Sequence, residues 1–245
     1  MTKFNDRIRK SAKISPIILA NDYDIRTTNI ESKTLRNIKL LNNYLCGIKI
    51  NFHLLLRLDY KQISNINKIA HDNGLECIAD IKLNDIGNTN IITAQNLWRM
   101  GFDAVIVNPI MGKKSLKNLV DASHKKNKGV ISLCHMSAPE AKLSYELKIK
   151  STSKTKQLYQ LFLDWAIASH ADGIIVGATY PKIINYCKTT ATKRLSIFSP
   201  GVGIQGGSAS KAKRLGSDYL IIGRTILNSK NPLETTKKLV NDSII

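Results

Sequence analysis

The sequence predicts an α/β fold, a closed (β/α)8 barrel of the TIM barrel type, and three observations carry that prediction. Short β-branched runs recur eight times along the 245 residues, at 15–19, 46–50, 76–81, 104–107, 130–133, 173–176, 196–199 and 219–222. Segments with apolar residues at three- and four-residue spacing lie between them, so strand and helix alternate to the last run. Polar side chains gather where the runs end, the place where barrels of this kind carry their functional groups.

The first run sits in KISPIILAND. Basic residues precede the apolar stretch 14–20, as in a secretory leader, but Pro16 interrupts it, Asn21 and Asp22 follow, and no small-residue cleavage site is evident. It therefore reads as a strand that ends at Asp22. Leu35, Ile38, Leu40 and Leu41 mark the helix before the second run, CGIKI, which contains Lys49. The third run closes in ADIKLNDIGNTN, with Asp80, Lys82 and Asp85 at its end, and the fourth is followed by Asn108. After the fifth come His135 and Ser137, then an irregular stretch, 136–153, mixing SAPEAK with SYELKIKSTS, which reads as a loop over the site. Leu158, Leu161, Phe162 and Trp165 give the helical spacing ahead of the sixth run. The seventh leads into SPGVGIQGG with Gln205, and the eighth into Gly223 and Arg224. The opposite strand ends show no comparable polar set. No Pro/Gly/Ser-rich linker divides the chain, so residues 1–245 are expected to form a single domain, with 43% hydrophobic residues to build its core.

Thirty-seven Lys and Arg against 18 Asp and Glu give a formal net charge of +19. The basic residues are scattered over most expected helices, and aromatics are only 6%, too sparse for a base-stacking platform. The excess reads as a composition rich in Lys, Asn and Ile whose physical consequence is steering of anionic ligands, and no nucleic-acid partner is expected. No segment approaches the roughly 18 uninterrupted apolar residues of a membrane span, and the chain reads as cytoplasmic. Cys46, Cys77, Cys134 and Cys187 form no CxxC pair and read as free thiols, with neither a disulfide framework nor a zinc site indicated. None of His53, His71, His124 and His170 is assigned a catalytic role.

Two motifs carry chemistry. In a strand alternate side chains share a face, so Asp80 and Lys82 are aimed at one place. The stretch 199–207 contains Gly201-x-Gly203-x-x-Gly206, letter for letter a dinucleotide fingerprint. That fingerprint opens a βαβ unit with an acidic residue closing the next strand, whereas the next run here ends in Gly223 and Arg224. In a barrel the same glycines let backbone N–H groups approach a phosphate, and Arg224 adds a fork of donors.

Set in order, these strand ends resemble the orotidine 5'-monophosphate decarboxylase family, in which D-x-K-x-x-D-I-x-x-T closes the third barrel strand. Here the pattern reads Asp80, Lys82, Asp85, Ile86 and Thr89. The likeness covers nearly the whole chain, through LAND with Asp22, GIKI with Lys49, MSAP with Ser137, VGATYP, SPGVGIQGG with Gln205, and IIGRTI with Arg224. It implies conversion of orotidine 5'-monophosphate (OMP) to uridine monophosphate (UMP) and CO2 in pyrimidine biosynthesis, without metal or other cofactor. It implies a catalytic set of Lys49, Asp80, Lys82 and Asp85, with Lys82 protonating C6. Ser137 is expected at the pyrimidine, Asp22 and Lys49 at the ribose, and Gln205 and Arg224 at the phosphate, with Pro200, Gly203 and Gly223 also binding substrate. The family is dimeric, so Asp85 and Thr89 are expected to serve the site of a second copy. Asn108 stands where many relatives carry histidine, and His135 where some carry an acidic residue.

Two other readings remain. Magnesium-dependent sugar-phosphate enzymes of the same superfamily, 3-keto-gulonate 6-phosphate decarboxylase and hexulose phosphate synthase, share D-x-K-x-x-D but place a glutamate metal ligand on the second strand. Lys49 occupies that strand here, and like charge disfavours a cation beside it. The third reading is a non-catalytic nucleotide or nucleic-acid binder, which has no need of the charged set.

Overall fold

A computed structural model describes residues 3–151, 154–192 and 195–244. In chain order the elements are α1 (Lys3–Ser11), β1 (Ile17–Asn21), α2 (Ile30–Leu41), β2 (Gly47–Asn51), α3 (Phe52–Leu55), α4 (Tyr60–Asp72), β3 (Glu76–Leu83), α5 (Gly87–Arg99), β4 (Ala104–Val107) and α6 (Lys113–His124). They continue with β5 (Gly129–His135), α7 (Ala141–Ser144), β6 (Lys148–Ser151), β7 (Lys154–Gln157), α8 (Leu158–Ser169), β8 (Gly173–Val176), α9 (Pro181–Ala191), β9 (Ser196–Pro200), α10 (Ala209–Arg214), β10 (Tyr219–Ile222), α11 (Arg224–Leu227) and α12 (Pro232–Ser243). Eight strands close a parallel barrel in the order β1-β10-β9-β8-β5-β4-β3-β2, as the alternation of strand and helix requires. Closure is made by β1, which pairs with β10 on one side and β2 on the other.

All eight expected strands are present, with shifted ends. The first begins at Ile17 rather than residue 15: Pro16 has no N–H for the ladder, and Ser15 Oγ accepts the Ile17 N–H at 3.2 Å. The third runs on to Leu83, and the fifth spans Gly129–His135. Strand residues such as Ile18, Ile48, Ile78, Val105, Ile131, Ile174 and Ile197 are fully buried, the near-continuous apolar pattern of strands covered on both faces. All four cysteines are buried free thiols, and burial pushes those of Cys46 and Cys77 up.

The stretch 136–153, expected as a loop, carries more order than that. It contains α7 and then β6, which pairs antiparallel with β7 in register Lys148↔Gln157, Ile149↔Lys156, Lys150↔Thr155. Residues 152 and 153 lie outside the described residues. The hairpin escaped a reading based on apolar alternation because its strands, KIKS and KTKQ, contain a single apolar residue.

A second correction concerns the N-terminal ends of the strands, where the sequence reading found no polar set. Asp103, Asp172 and Asp218 each stand one residue ahead of β4, β8 or β10, and each accepts a backbone N–H from a neighbouring strand: Cys77 at 2.9 Å, Val130 at 2.8 Å and Ile197 at 2.8 Å. Each also meets a cation or imidazole. Asp103 takes His71 (2.7 Å), Lys128 (3.1 Å) and Arg7 (3.1 Å), Asp172 takes His124 (3.0 Å), and Asp218 takes Lys188 (3.0 Å). Arg7 also bonds Glu76 at 2.8 Å. These carboxylates cap barrel strands, and α1 closes that end with Phe4, whose ring lies so near Gly129 that a Cβ there would stand 2.3 Å from it.

Among the described residues no helix is long and apolar enough to cross a membrane.

Candidate active site

The C-terminal ends of the strands surround a cleft whose wall is apolar (Ala20, Ile106, Leu133, Ile175 and Ile221) and whose polar groups converge from several strands. β2 delivers Lys49 and Asn51, two residues apart and hence on one face. β3 delivers Asp80, and Lys82 follows from an irregularity. The ladder to β4 runs Ile78↔Ala104, Ala79↔Val105, Asp80↔Ile106 and then jumps to Leu83↔Val107, so Ile81 and Lys82 are unpaired. Lys82 has φ +47°, a left-handed conformation that costs a side chain of this kind on the order of 1 kcal/mol or more. Asp80 and Lys82 do share the cleft, but a bulge rather than plain alternation puts them there.

Asp80 sits between two ammonium groups. Lys49 Nζ lies 2.7 Å from its Oδ2 and Lys82 Nζ 2.8 Å from its Oδ1. Burial alone would raise the Asp80 carboxyl, but the charges and hydrogen bonds of Lys49 and Lys82 outweigh it and hold the group down to about 2. Lys49 and Asp80 are buried, whereas the Lys82 side chain is 46% exposed and reaches into the open cleft. From Lys49 the contacts continue outward. Its ammonium also donates to Asn51 Oδ1, Asn51 Nδ2 donates to Asp22 Oδ1 at 3.0 Å, and Arg224 Nε faces Asp22 Oδ2 at 3.9 Å. One polar chain therefore crosses the cleft floor from Lys82 to Arg224.

The rim opposite Lys82 comes from β9, β10 and their loops. Pro200, Gly201, Gln205, Gly223 and Arg224 line it, and Ser137 faces it from the loop after β5. Gly203 does not line the cleft. Its N–H donates to Gly207 O at 2.9 Å, and at φ +82° a Cβ on it would meet Thr225 Oγ1 at 2.3 Å. Only glycine lets the loop fold onto Thr225, whose hydroxyl donates to Val202 O at 3.1 Å and accepts the Ile204 N–H at 3.2 Å.

Of the residues singled out in the sequence, Asp22, Lys49, Asp80, Lys82, Ser137, Pro200, Gln205, Gly223 and Arg224 come together in this cleft. Asp85 and Thr89 do not. Both are exposed, Asp85 Oδ1 accepts the Ile86 N–H at 2.6 Å, and Thr89 stands in the first turn of α5. On the segments that follow β2, β3 and β4, Phe52, Leu56, Ile86, Ile92 and Ile110 are exposed apolar side chains. Sequence reasoning missed Asn51, Thr225 and the apolar wall. Asn51 had a signal, standing two residues past Lys49 at a strand end, while Thr225 acts through a loop distant in sequence.

A model of the family described as "Orotidine 5'-phosphate decarboxylase / HUMPS family" matches residues 15–239. A curated relative from Thermococcus kodakarensis, named orotidine 5'-phosphate decarboxylase, is 34% identical over 93% of this chain and 96% of its own length. Among solved structures, orotidine 5'-monophosphate decarboxylase of Methanocaldococcus jannaschii, complexed with the inhibitor BMP, is 28% identical with a TM-score of 0.80, over 95% of this chain and 100% of that one. UMP synthase of Leishmania donovani matches at 21% identity and a TM-score of 0.85, a likeness of fold. This chain covers 99% of itself and 56% of that synthase in the match.

Proposed function

Because this chain belongs to the orotidine 5'-phosphate decarboxylase / HUMPS family, we propose that it is a carbon–carbon lyase converting OMP to UMP and CO2, a cytoplasmic enzyme of pyrimidine biosynthesis acting as one domain. The observation that carries the reading is the buried Asp80 carboxylate held between Lys49 and Lys82 on the floor of a cleft whose far rim holds Gln205 and Arg224.

Loss of CO2 from C6 of the pyrimidine leaves an electron pair on that carbon. The Lys82 ammonium, exposed in the cleft, stabilises the developing charge and then delivers the proton that replaces CO2. Asp80, ionised at neutral pH, orients Lys82 and faces the departing carboxylate. Lys49 is fixed by Asp80 and Asn51, and with Asp22 it holds the ribose hydroxyls. Gln205 and Arg224 take the phosphate, with Pro200 and Gly223 shaping the rim and Gly203 setting the fold of its loop. Grip on the remote phosphate supplies binding energy that acts at the reacting carbon. Ser137 meets the pyrimidine edge.

Asp85 and Thr89 belong to the site of a second copy. The exposed Phe52, Leu56, Ile86, Ile92 and Ile110, on the segments that follow β2, β3 and β4 at the same end of the barrel, are the apolar surface a homodimer would cover. The magnesium-dependent sugar-phosphate reading is disfavoured by Lys49, a buried cation two residues from the end of β2.

The test is ultraviolet absorbance of OMP mixed with EDTA-treated protein. The expected result is rapid loss of orotate absorbance with UMP as product. A folded protein that leaves OMP unchanged yet turns over a sugar phosphate with magnesium overturns the assignment.

A further inference from the structure

Ser137 stands on a stretch of backbone gripped from behind. β5 bulges near its end: Leu133 pairs with Ile175 but His135 with Val176, leaving Cys134 as the extra residue. Leu133 lines the cleft before the bulge, and Met136 and Ser137 line it after. Between them the His135 ring is buried among tyrosines, its centroid 4.3 Å from Tyr180, 5.6 Å from Tyr145 and 5.9 Å from Tyr159.

The carbonyls of residues 135 to 138 are then taken one after another. His135 O accepts the Gly177 N–H at 3.1 Å, and Met136 O accepts from His135 Nδ1 at 2.9 Å. Ser137 O accepts the Thr179 hydroxyl at 3.1 Å, and Ala138 O the Tyr180 hydroxyl at 2.8 Å. Three of these donors come from the turn 177–180, which follows β8 and opens α9. The turn also lies very close. A Cβ on Gly177 would stand 2.6 Å from Ser137 Cα, an approach only glycine permits.

A planar peptide leaves two soft dihedrals per residue, so holding successive carbonyls fixes the backbone on both sides of Ser137. A serine side chain has one rotatable carbon–oxygen arm and cannot make good a backbone displaced by an ångström. Where its hydroxyl stands is therefore decided by whatever holds the carbonyls.

We propose that the turn 177–180, together with His135, is a template for the Ser137 loop, with Thr179, Tyr180 and His135 as positioning residues that set the Ser137 hydroxyl against the base of the bound nucleotide. The proposal rests on the reading that Ser137 meets the pyrimidine. None of the three need touch the ligand. Their effect falls on ligands that carry a base: the same turn meets the rim through its backbone, where the Ala178 N–H donates to Pro200 O at 2.8 Å, and the phosphate-binding side chains of Gln205 and Arg224 stand on other elements.

The test compares the affinities of UMP and ribose 5-phosphate, measured by calorimetry, in the Thr179→Val/Tyr180→Phe variant, in Ser137→Ala, and in the two combined. Valine keeps the shape of threonine and phenylalanine keeps the ring against His135, so the fold is preserved while both hydroxyls go. UMP is expected to bind roughly tenfold more weakly to the Thr179/Tyr180 variant, the scale of one or two lost hydrogen bonds. Ribose 5-phosphate should change less than about twofold, and adding Ser137→Ala should cost UMP nothing further. Equal weakening of both ligands, or losses that add with Ser137→Ala, overturns the template. Unchanged UMP affinity in the Thr179/Tyr180 variant, with a loss in Ser137→Ala, overturns the template alone. Unchanged UMP affinity in Ser137→Ala removes Ser137 from the base, and the template falls with that reading.

Discussion

Lys82 illustrates how much one residue can be made to carry. Its left-handed backbone, its place in a bulge and its 2.8 Å contact with Asp80 all serve to present one ammonium to the open cleft. Lys82→Ala is expected to lower kcat at least about 100-fold, the low end for a positioned proton donor. Circular dichroism should show the fold intact, since alanine leaves no buried charge unpaired beyond the Asp80–Lys49 contact that persists. Asp80 is different, because its carboxyl is held at about 2 while buried. Its folded value lies below its unfolded one, so its contribution to stability is present above pH ~4 and is lost as pH falls toward 2, on the order of 2 kcal/mol. Comparing urea unfolding of the wild type with that of Asp80→Asn over this range should show the difference shrinking as the solution is acidified. A difference that does not change with pH would mean the two lysines do not hold the carboxyl down. At this scale the sequence announced residue types well and local geometry poorly. Asp80 and Lys82 were evident from their spacing, but the bulge that brings them together was not, because it depends on the mismatch of β3 with β4.

At the scale of elements, the barrel works at both ends. The C-terminal strand ends carry the cleft, and ahead of β4, β8 and β10 stand the aspartates that cap neighbouring strands. Asp103→Ala should cost about 3 kcal/mol in urea unfolding, because it strips the Cys77 N–H of its acceptor and leaves His71, Lys128 and Arg7 without their shared carboxylate. The protein that remains folded should keep its activity, since this layer lies at the end of the barrel away from the cleft. The eight strands were legible because buried parallel strands are continuous apolar runs. The aspartates were passed over for a related reason. Each stands just outside such a run, in GFDAVIV, HADGIIV or GSDYLII, and its partners, His71, His124 and Lys188, sit far off in sequence on α4, α6 and α9, one repeat earlier than the helix that leads into its strand. The hairpin of β6 and β7 was hidden because lysine, serine and threonine give no apolar period to read.

For the whole molecule, the question is whether one chain makes one site. Asp85 and Thr89 stand outside the cleft that the other expected residues form. Under the proposed homodimer, Asp22→Ala and Asp85→Ala are each inactive alone. Mixed, unfolded together and refolded, they should recover up to about a quarter of wild-type activity, because half the dimers are mixed and each of those restores one of its two sites. No recovery in a mixture shown to contain mixed dimers would place Asp85 in its own chain's site.

The closure of the barrel by α1 also sets an order of events. Phe4 packs on Gly129, Arg7 bonds Glu76 and Asp103, and Asn5 bonds Asp172, a partner 167 residues further along the chain. During synthesis this helix must wait, its apolar face without a seat, until most of the barrel has been made. Contacts of such long sequence separation are slow to form, because the loop they close is costly until the intervening structure exists. The segment made early is thus fastened late, and the ribosome-bound chain passes through a long interval in which the floor of the barrel is open.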